Sequence, residues 1–105
     1  MKTKKENWCI VGNGSYGLWY GIIRATDAQI IKNKAVRIYR ARNIRYWYGK
    51  KGGISSLAAF GPCGPRQQES RIGAEIVSTL VLDVKAVHCC SPEAVVNFAS
   101  VKFHE

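Results

Sequence analysis

Ala35-Val36-Arg37-Ile38-Tyr39-Arg40-Ala41-Arg42-Asn43-Ile44-Arg45-Tyr46 is the stretch on which the reading of the fold turns. Val36 and Ile38 alternate with Arg37 and Tyr39, the two-residue period of a strand with one face buried. At Arg40-Ala41-Arg42 the alternation loses its phase, which marks either a bulge or an end to the pairing.

Working outward, residues 8–11 and 17–24 are apolar runs rich in strand formers, separated by Asn13-Gly14-Ser15, and they read as a β-hairpin. Thr26-Asp27 supplies a turn, residues 29–32 a short strand, and Asn33-Lys34 another turn. On the other side, a glycine-rich segment leads into one or two helical turns at residues 55–60, closed by Gly61-Pro62. Residues 62–70 are polar, hold two prolines and read as a loop, while 75–82 and 84–89 are rich in β-branched residues and read as strands.

Ser91-Pro92-Glu93 is a helix start: a capping hydroxyl, a proline at the first helical position and a carboxylate against the positive helix end. Val95, Phe98 and Ala99 then share the face expected to pack on the sheet. The expected architecture is a single α+β domain over residues 1–105. It is a small antiparallel sheet, or partly open barrel, of five to six strands with two short helices.

The formal charge is +9, and its distribution is more informative than its size. No acid lies between residues 28 and 68, whereas Lys32, Lys34, Arg37, Arg40, Arg42, Arg45, Lys50, Lys51 and Arg66 do. Those nine of 16 basic residues leave seven elsewhere, which cancel the seven acids. A continuous cationic stretch of this kind raises the encounter rate with anions and holds phosphate.

Lysines near the N-terminus precede no apolar run, so no secretory signal is read there. The run at residues 76–82 is interrupted by Ser78 and Thr79 and is too short to span a bilayer. A cytoplasmic protein with reduced thiols is expected. The spacing of Cys9, Cys63, Cys89 and Cys90 does not make a zinc framework, even with His88 and His104 recruited. Cys9 and Cys89 are expected as small buried apolar residues.

Gly12-Asn13-Gly14-Ser15-Tyr16-Gly17 fits the G-x-G-x-x-G fingerprint of dinucleotide sites literally. The segment immediately after it contains Trp19, Tyr20, Ile22 and Ile23, which favour strand over helix, and the acid usual about twenty residues further on is absent. The turn reading stands.

Within residues 45–56 lie the groups a nucleotide binder needs. Tyr46, Trp47 and Tyr48 offer faces on which a base stacks. Arg45, Lys50 and Lys51 supply charge-assisted donors for phosphate. Gly52-Gly53 lets backbone approach, and the amides of Ser55 and Ser56 open a helix whose free N–H groups favour an anion. Arg40 and Arg42, from the same cationic run, complete the expected ligand set. The spacing is not that of a Walker loop. The competing reading puts Tyr46 and Trp47 in the core and makes residues 49–53 a connector; alternation along a strand puts at least one of the three rings inside.

Glu69 and Glu75 are six residues apart across a loop and make no carboxylate pair, and His88 beside Cys89 reads as structural rather than as half of a nucleophile pair. No catalytic residue, metal or cofactor is expected. Residues 41–60 and 77–101 resemble an uncharacterised family of small bacteriophage proteins. The pattern pairs an Arg-aromatic-Trp-Gly stretch with a Ser-Leu-Ala helix, a strand and a terminal helix. Arg45, Tyr46, Trp47, Gly49, Ser56, Leu57, Ala58, Ala59, Ser91, Ala94 and Val101 carry the match.

The resemblance implies a phage accessory protein. Compact phage proteins of this size sequester cyclic nucleotides or ADP-ribose-derived immune signals, and the analogy sets the functional expectation: a non-enzymatic, anti-defence sponge for a phosphorylated nucleotide. A homo-oligomer would let several basic segments converge on one pocket, with no role for a membrane. The alternatives are a basic DNA- or RNA-binding module and an inhibitor of an acidic host protein.

Overall fold

A computed structural model describes residues 7–13 and 17–102. Its strands are β1 (Asn7–Gly12), β2 (Leu18–Ile23), β3 (Ala35–Tyr46), β4 (Arg71–Ile72), β5 (Ile76–Leu82) and β6 (Ala86–Cys89). Its helices are α1 (Asp27–Asn33), α2 (Gly53–Phe60) and α3 (Pro92–Ser100), with a 3-10 turn at Gln67–Glu69. The result is an open, antiparallel six-stranded sheet with helices, an α+β fold as the sequence led one to expect. The tip of the expected first hairpin, residues 14–16, and His104 lie outside the described residues.

The sheet runs β4-β3-β2-β1-β6, and β5 pairs with the first half of β3 on the edge that β4 takes further along. The phase loss in β3 is a bulge. Tyr20 faces Arg42 and Ile22 faces Tyr39, so Gly21 alone opposes two residues, Arg40 and Ala41. Arg40 absorbs the extra residue by turning to a left-handed φ of 54°. The backbones approach so closely there that a Cβ on Gly21 would lie 2.4 Å from Ile38 Cγ2 and 2.7 Å from the Tyr39 carbonyl oxygen. Only glycine fits opposite this bulge.

The bulge decides which core each half of β3 serves, because one extra residue reverses the faces of all that come after it. Val36, Ile38 and Ala41 join Cys9, Val11, Ile23 and Val81 in one cluster, closed by Ile30 of α1. Ile44 lies on the opposite face with Ile10, Tyr20 and Ile72, under Leu57 and Ala58 of α2 and Phe98 of α3. Trp8, Tyr20 and Phe98 form a column of stacked rings there, with centroids 5.2 and 3.9 Å apart. Each such ring pair contributes roughly 0.5–1.5 kcal/mol beyond the area it buries.

Residues 29–32, expected as a strand, are helical. Thr26 begins a capping box: its hydroxyl accepts from the Gln29 amide at 3.2 Å while the Gln29 side chain accepts from the Thr26 amide at 2.9 Å. Lys34, at φ 52°, ends the helix. The helix expected from residue 55 starts two residues earlier, at Gly53. The last strand starts at Ala86 rather than at 84, after a turn through Asp83 at φ 54°.

α3 begins as its sequence dictates, with the Ser91 hydroxyl accepting from the Ala94 amide at 3.1 Å and Pro92 in the first turn. Its buried face is Ala94 and Phe98, with Val95 half-buried and Ala99 exposed. α2 and α3 meet at Gly61, where a Cβ would strike the Ala94 carbonyl oxygen at 2.8 Å. No helix among the described residues is long and apolar enough to cross a membrane.

Candidate functional site

β3 ends at Tyr46, and the chain beyond it is held in place from far along the sequence. The Tyr48 amide donates to the Ser70 hydroxyl at 2.9 Å, and the Tyr48 carbonyl accepts from the Cys63 amide at 3.0 Å. These two bonds fold the 61–70 segment back over the end of β3. Between them opens a cleft of about 500 Å3. Its walls are Tyr48, Lys50, Phe60, Cys63 and Arg66, with Glu93 from the first turn of α3 at one side.

The cleft alternates rings and cations. Arg66 lies 4.1 Å from the centroid of the Tyr48 ring, and Lys50 Nζ lies 6.0 Å from that of Phe60. Tyr46 meets Tyr48 edge-on, with centroids 5.8 Å apart, and Arg71 donates to the Tyr46 hydroxyl at 2.9 Å. Arg66 is aimed by Glu69 through two hydrogen bonds of 2.8 and 2.9 Å. That pairing holds the Glu69 carboxyl below its usual range and raises the Arg66 guanidinium, so both stay charged. A guanidinium over a tyrosine presents its far side as a cationic surface, suited to an aromatic base there and to phosphate oxygens at its edge.

Of the ten residues expected to bind ligand, Tyr48 and Lys50 line this cleft. Tyr46 stands beside it and Arg45 and Lys51 are exposed, but none of the three lines it. Trp47 packs, half-buried, against the second core and does not line the cleft. Ser55 and Ser56 sit in α2, where the Ser56 hydroxyl donates to the Lys51 carbonyl at 3.0 Å and closes the loop before the helix. Neither lines the cleft.

Arg40 and Arg42 lie on a second cleft, beside Trp8. Arg40 pairs with Glu75 at 3.3 Å and stands 5.2 Å over the Trp8 ring. Arg42 is buried, and its guanidinium donates to the carbonyls of Gly73 at 2.8 Å, Phe98 at 2.7 Å and Val101 at 2.9 Å. Burial lowers its affinity for a proton, and those carbonyls hold the charge in place. It is a clamp on the end of α3, and its donors are committed to the fold rather than open to a ligand phosphate.

Phe60, Cys63, Arg66 and Glu93 are cleft residues that sequence reasoning missed. Arg66 was visible as the last cation of the acid-free stretch, but nothing local announces that residues 61–66 return to Tyr48. Cys9 is buried, as expected, whereas Cys89 is exposed on β6; their sulfurs face each other at 3.9 Å across the β1–β6 pair. Among the described residues no group of three or more His, Cys, Asp or Glu side chains is placed to hold a metal ion.

Fold and cleft together define a small α+β protein that presents a ring-walled, cationic recess at the end of its longest strand. The chain belongs to the family described as domain of unknown function DUF6948, whose model matches residues 6–98 and so takes in all six strands and most of α3. No curated protein and no solved structure matches it.

Proposed function

We propose that this protein is a non-enzymatic binder that withdraws a phosphorylated nucleotide from solution, with the ligand held in the Tyr48–Phe60 cleft. The observation that carries the reading is the coincidence, in one recess of about 500 Å3, of two rings with two cations. That volume is in the range of small-ligand sites, and a base against the Phe60 ring or the outer side of the Arg66 guanidinium, with phosphate against Lys50 and Arg66, uses the rings and cations of the cleft. Glu93 accepts from ribose hydroxyls or an exocyclic amine. In a cytoplasmic phage setting the ligand class is a cyclic nucleotide or ADP-ribose-derived host signal, and the protein serves as its sponge.

Titration calorimetry with nucleoside monophosphates, cyclic nucleotides and ADP-ribose tests the reading. Tyr48→Ala with Lys50→Ala removes one stacking face, worth roughly 1–3 kcal/mol, and one charge-assisted donor, worth about 1.5–3 kcal/mol. The double variant is expected to bind at least about 70-fold more weakly while its circular dichroism is unchanged. Unaltered affinity moves the site elsewhere, and heat from none of the ligands ends the nucleotide reading. A log–log salt slope of several units, rather than about one or two, transfers the cationic surface to a nucleic-acid backbone.

A further inference from the structure

β5 is the weak point of the sheet's design as a lone molecule. It pairs with β3 along one edge, and no strand among the described residues pairs along the other, where the Asn13 side-chain amide donates to the Leu82 carbonyl at one end. Its seven residues, Ile76-Val77-Ser78-Thr79-Leu80-Val81-Leu82, contain no charge, proline or glycine. Natural edge strands carry lysine, proline or a bulge to stop another strand from adding on. Here the edge instead exposes Ile76 by 43%, Val77 by 89%, Leu80 by 50% and Leu82 by 60%.

The pattern of the strand identifies what covers it. Paired antiparallel with a second β5 about Thr79, the segment is self-complementary: Ile76 meets Leu82, Val77 meets Val81, and Leu80 lies opposite Ser78 and diagonal to its own copy. Val81 belongs to the first core, so Val77 of each copy would pack beside a core residue of the other. At the ends Glu75 and Asp83 would approach each other across the pair, and each already has its own cation, Arg40 at 3.3 Å and Lys85 at 3.1 Å, so this contact between like charges is offset rather than left bare.

We propose that a second copy of this chain pairs with β5 edge to edge, giving a two-fold dimer with one continuous twelve-stranded sheet. The inference does not depend on the nucleotide reading, since β5 contributes nothing to the Tyr48 cleft.

Sedimentation equilibrium of the full chain across a concentration series tests it. The wild type is expected at twice the 11.7 kDa chain mass. The Val77→Lys, Leu80→Lys variant, which restores the usual edge protection at two exposed positions, is expected at one chain mass with an unchanged circular dichroism spectrum. A wild type that stays at one chain mass throughout overturns the proposal, as does a double variant that remains dimeric. Register is read by cysteine cross-linking. Thr79→Cys lies on the axis, opposite its own copy and within disulfide reach, and should give a covalent dimer on mild oxidation; Ser78→Cys, diagonal to its copy, should not. Equal cross-linking of both variants refutes the pairing about Thr79.

Discussion

Arg42→Met removes the clamp and keeps most of the side-chain volume. Three of its hydrogen bonds lie between 2.7 and 2.9 Å, all made by a charged donor, to the buried carbonyls of Phe98 and Val101 and the part-buried one of Gly73. Bonds of that type contribute about 1.5–3 kcal/mol each, and carbonyls left bare inside cost about 1–3 kcal/mol apiece. Against this stands the desolvation of the guanidinium, which burial already penalises and which the methionine relieves. Taking the lower figure for three bonds and subtracting about 1 kcal/mol for relief leaves a loss of about 3–4 kcal/mol. For a domain of this size that is roughly 12–30 °C in Tm. Urea unfolding followed by tryptophan fluorescence measures the loss directly. Arg42→Lys, which keeps the charge but cannot fork to several carbonyls, should fall between the two. A methionine variant within about 1 kcal/mol of wild type refutes the clamp, and if it also loses nucleotide, Arg42 belongs to the binding surface after all.

Gly21→Ala places a methyl against the Tyr39 carbonyl and the Ile38 side chain opposite the bulge. A loss of about 1–3 kcal/mol is expected by the same denaturation assay, because backbone rather than a flexible side chain stands in the way. Alkaline stability should fall from about pH 9. Burial first, then neighbouring thiols, pushes the Cys9 and Cys90 thiols up to about 12, and burial raises the Tyr20 hydroxyl. Between the ordinary value and the raised one, the unfolded chain has lost protons that the folded chain keeps. Each thiol then contributes a decline of roughly 1.4 kcal/mol per pH unit. A flat stability profile from pH 9 to 11 contradicts this, as does alkylation of folded protein at Cys9 before the exposed Cys89.

Much of the fold was legible because it rests on local runs of strand formers, turn clusters and one stretch of alternation. Residues 8–11 and 17–24 are runs of strand formers split by a turn cluster, residues 36–39 carry a two-residue period, and the phase slip at Arg40-Ala41-Arg42 falls where the bulge sits. The α1 helix was legible too: Thr26-Asp27-Ala28-Gln29 has the spacing of a capping box, which outweighs the strand preference of β-branched Ile30 and Ile31. β4 is two residues long and exists only because β3 offers an edge, so no local pattern could reveal it. The candidate cleft was half legible. Tyr48 and Lys50 stand in the segment that composition marked, whereas Phe60 and Arg66 reach it through the long-range bonds at Ser70 and Cys63. Charge counting could not separate Arg42 from its exposed neighbours, because a clamp on carbonyls and a ligand for phosphate ask for the same side chain.

The extra residue at Arg40 leaves β3 as the common spine of two interiors. Its first half feeds the side closed by α1, and its second half the side closed by α2 and α3. Neither interior can loosen without tugging the rod that the other grips, so a molecule with two small hydrophobic centres melts as one body.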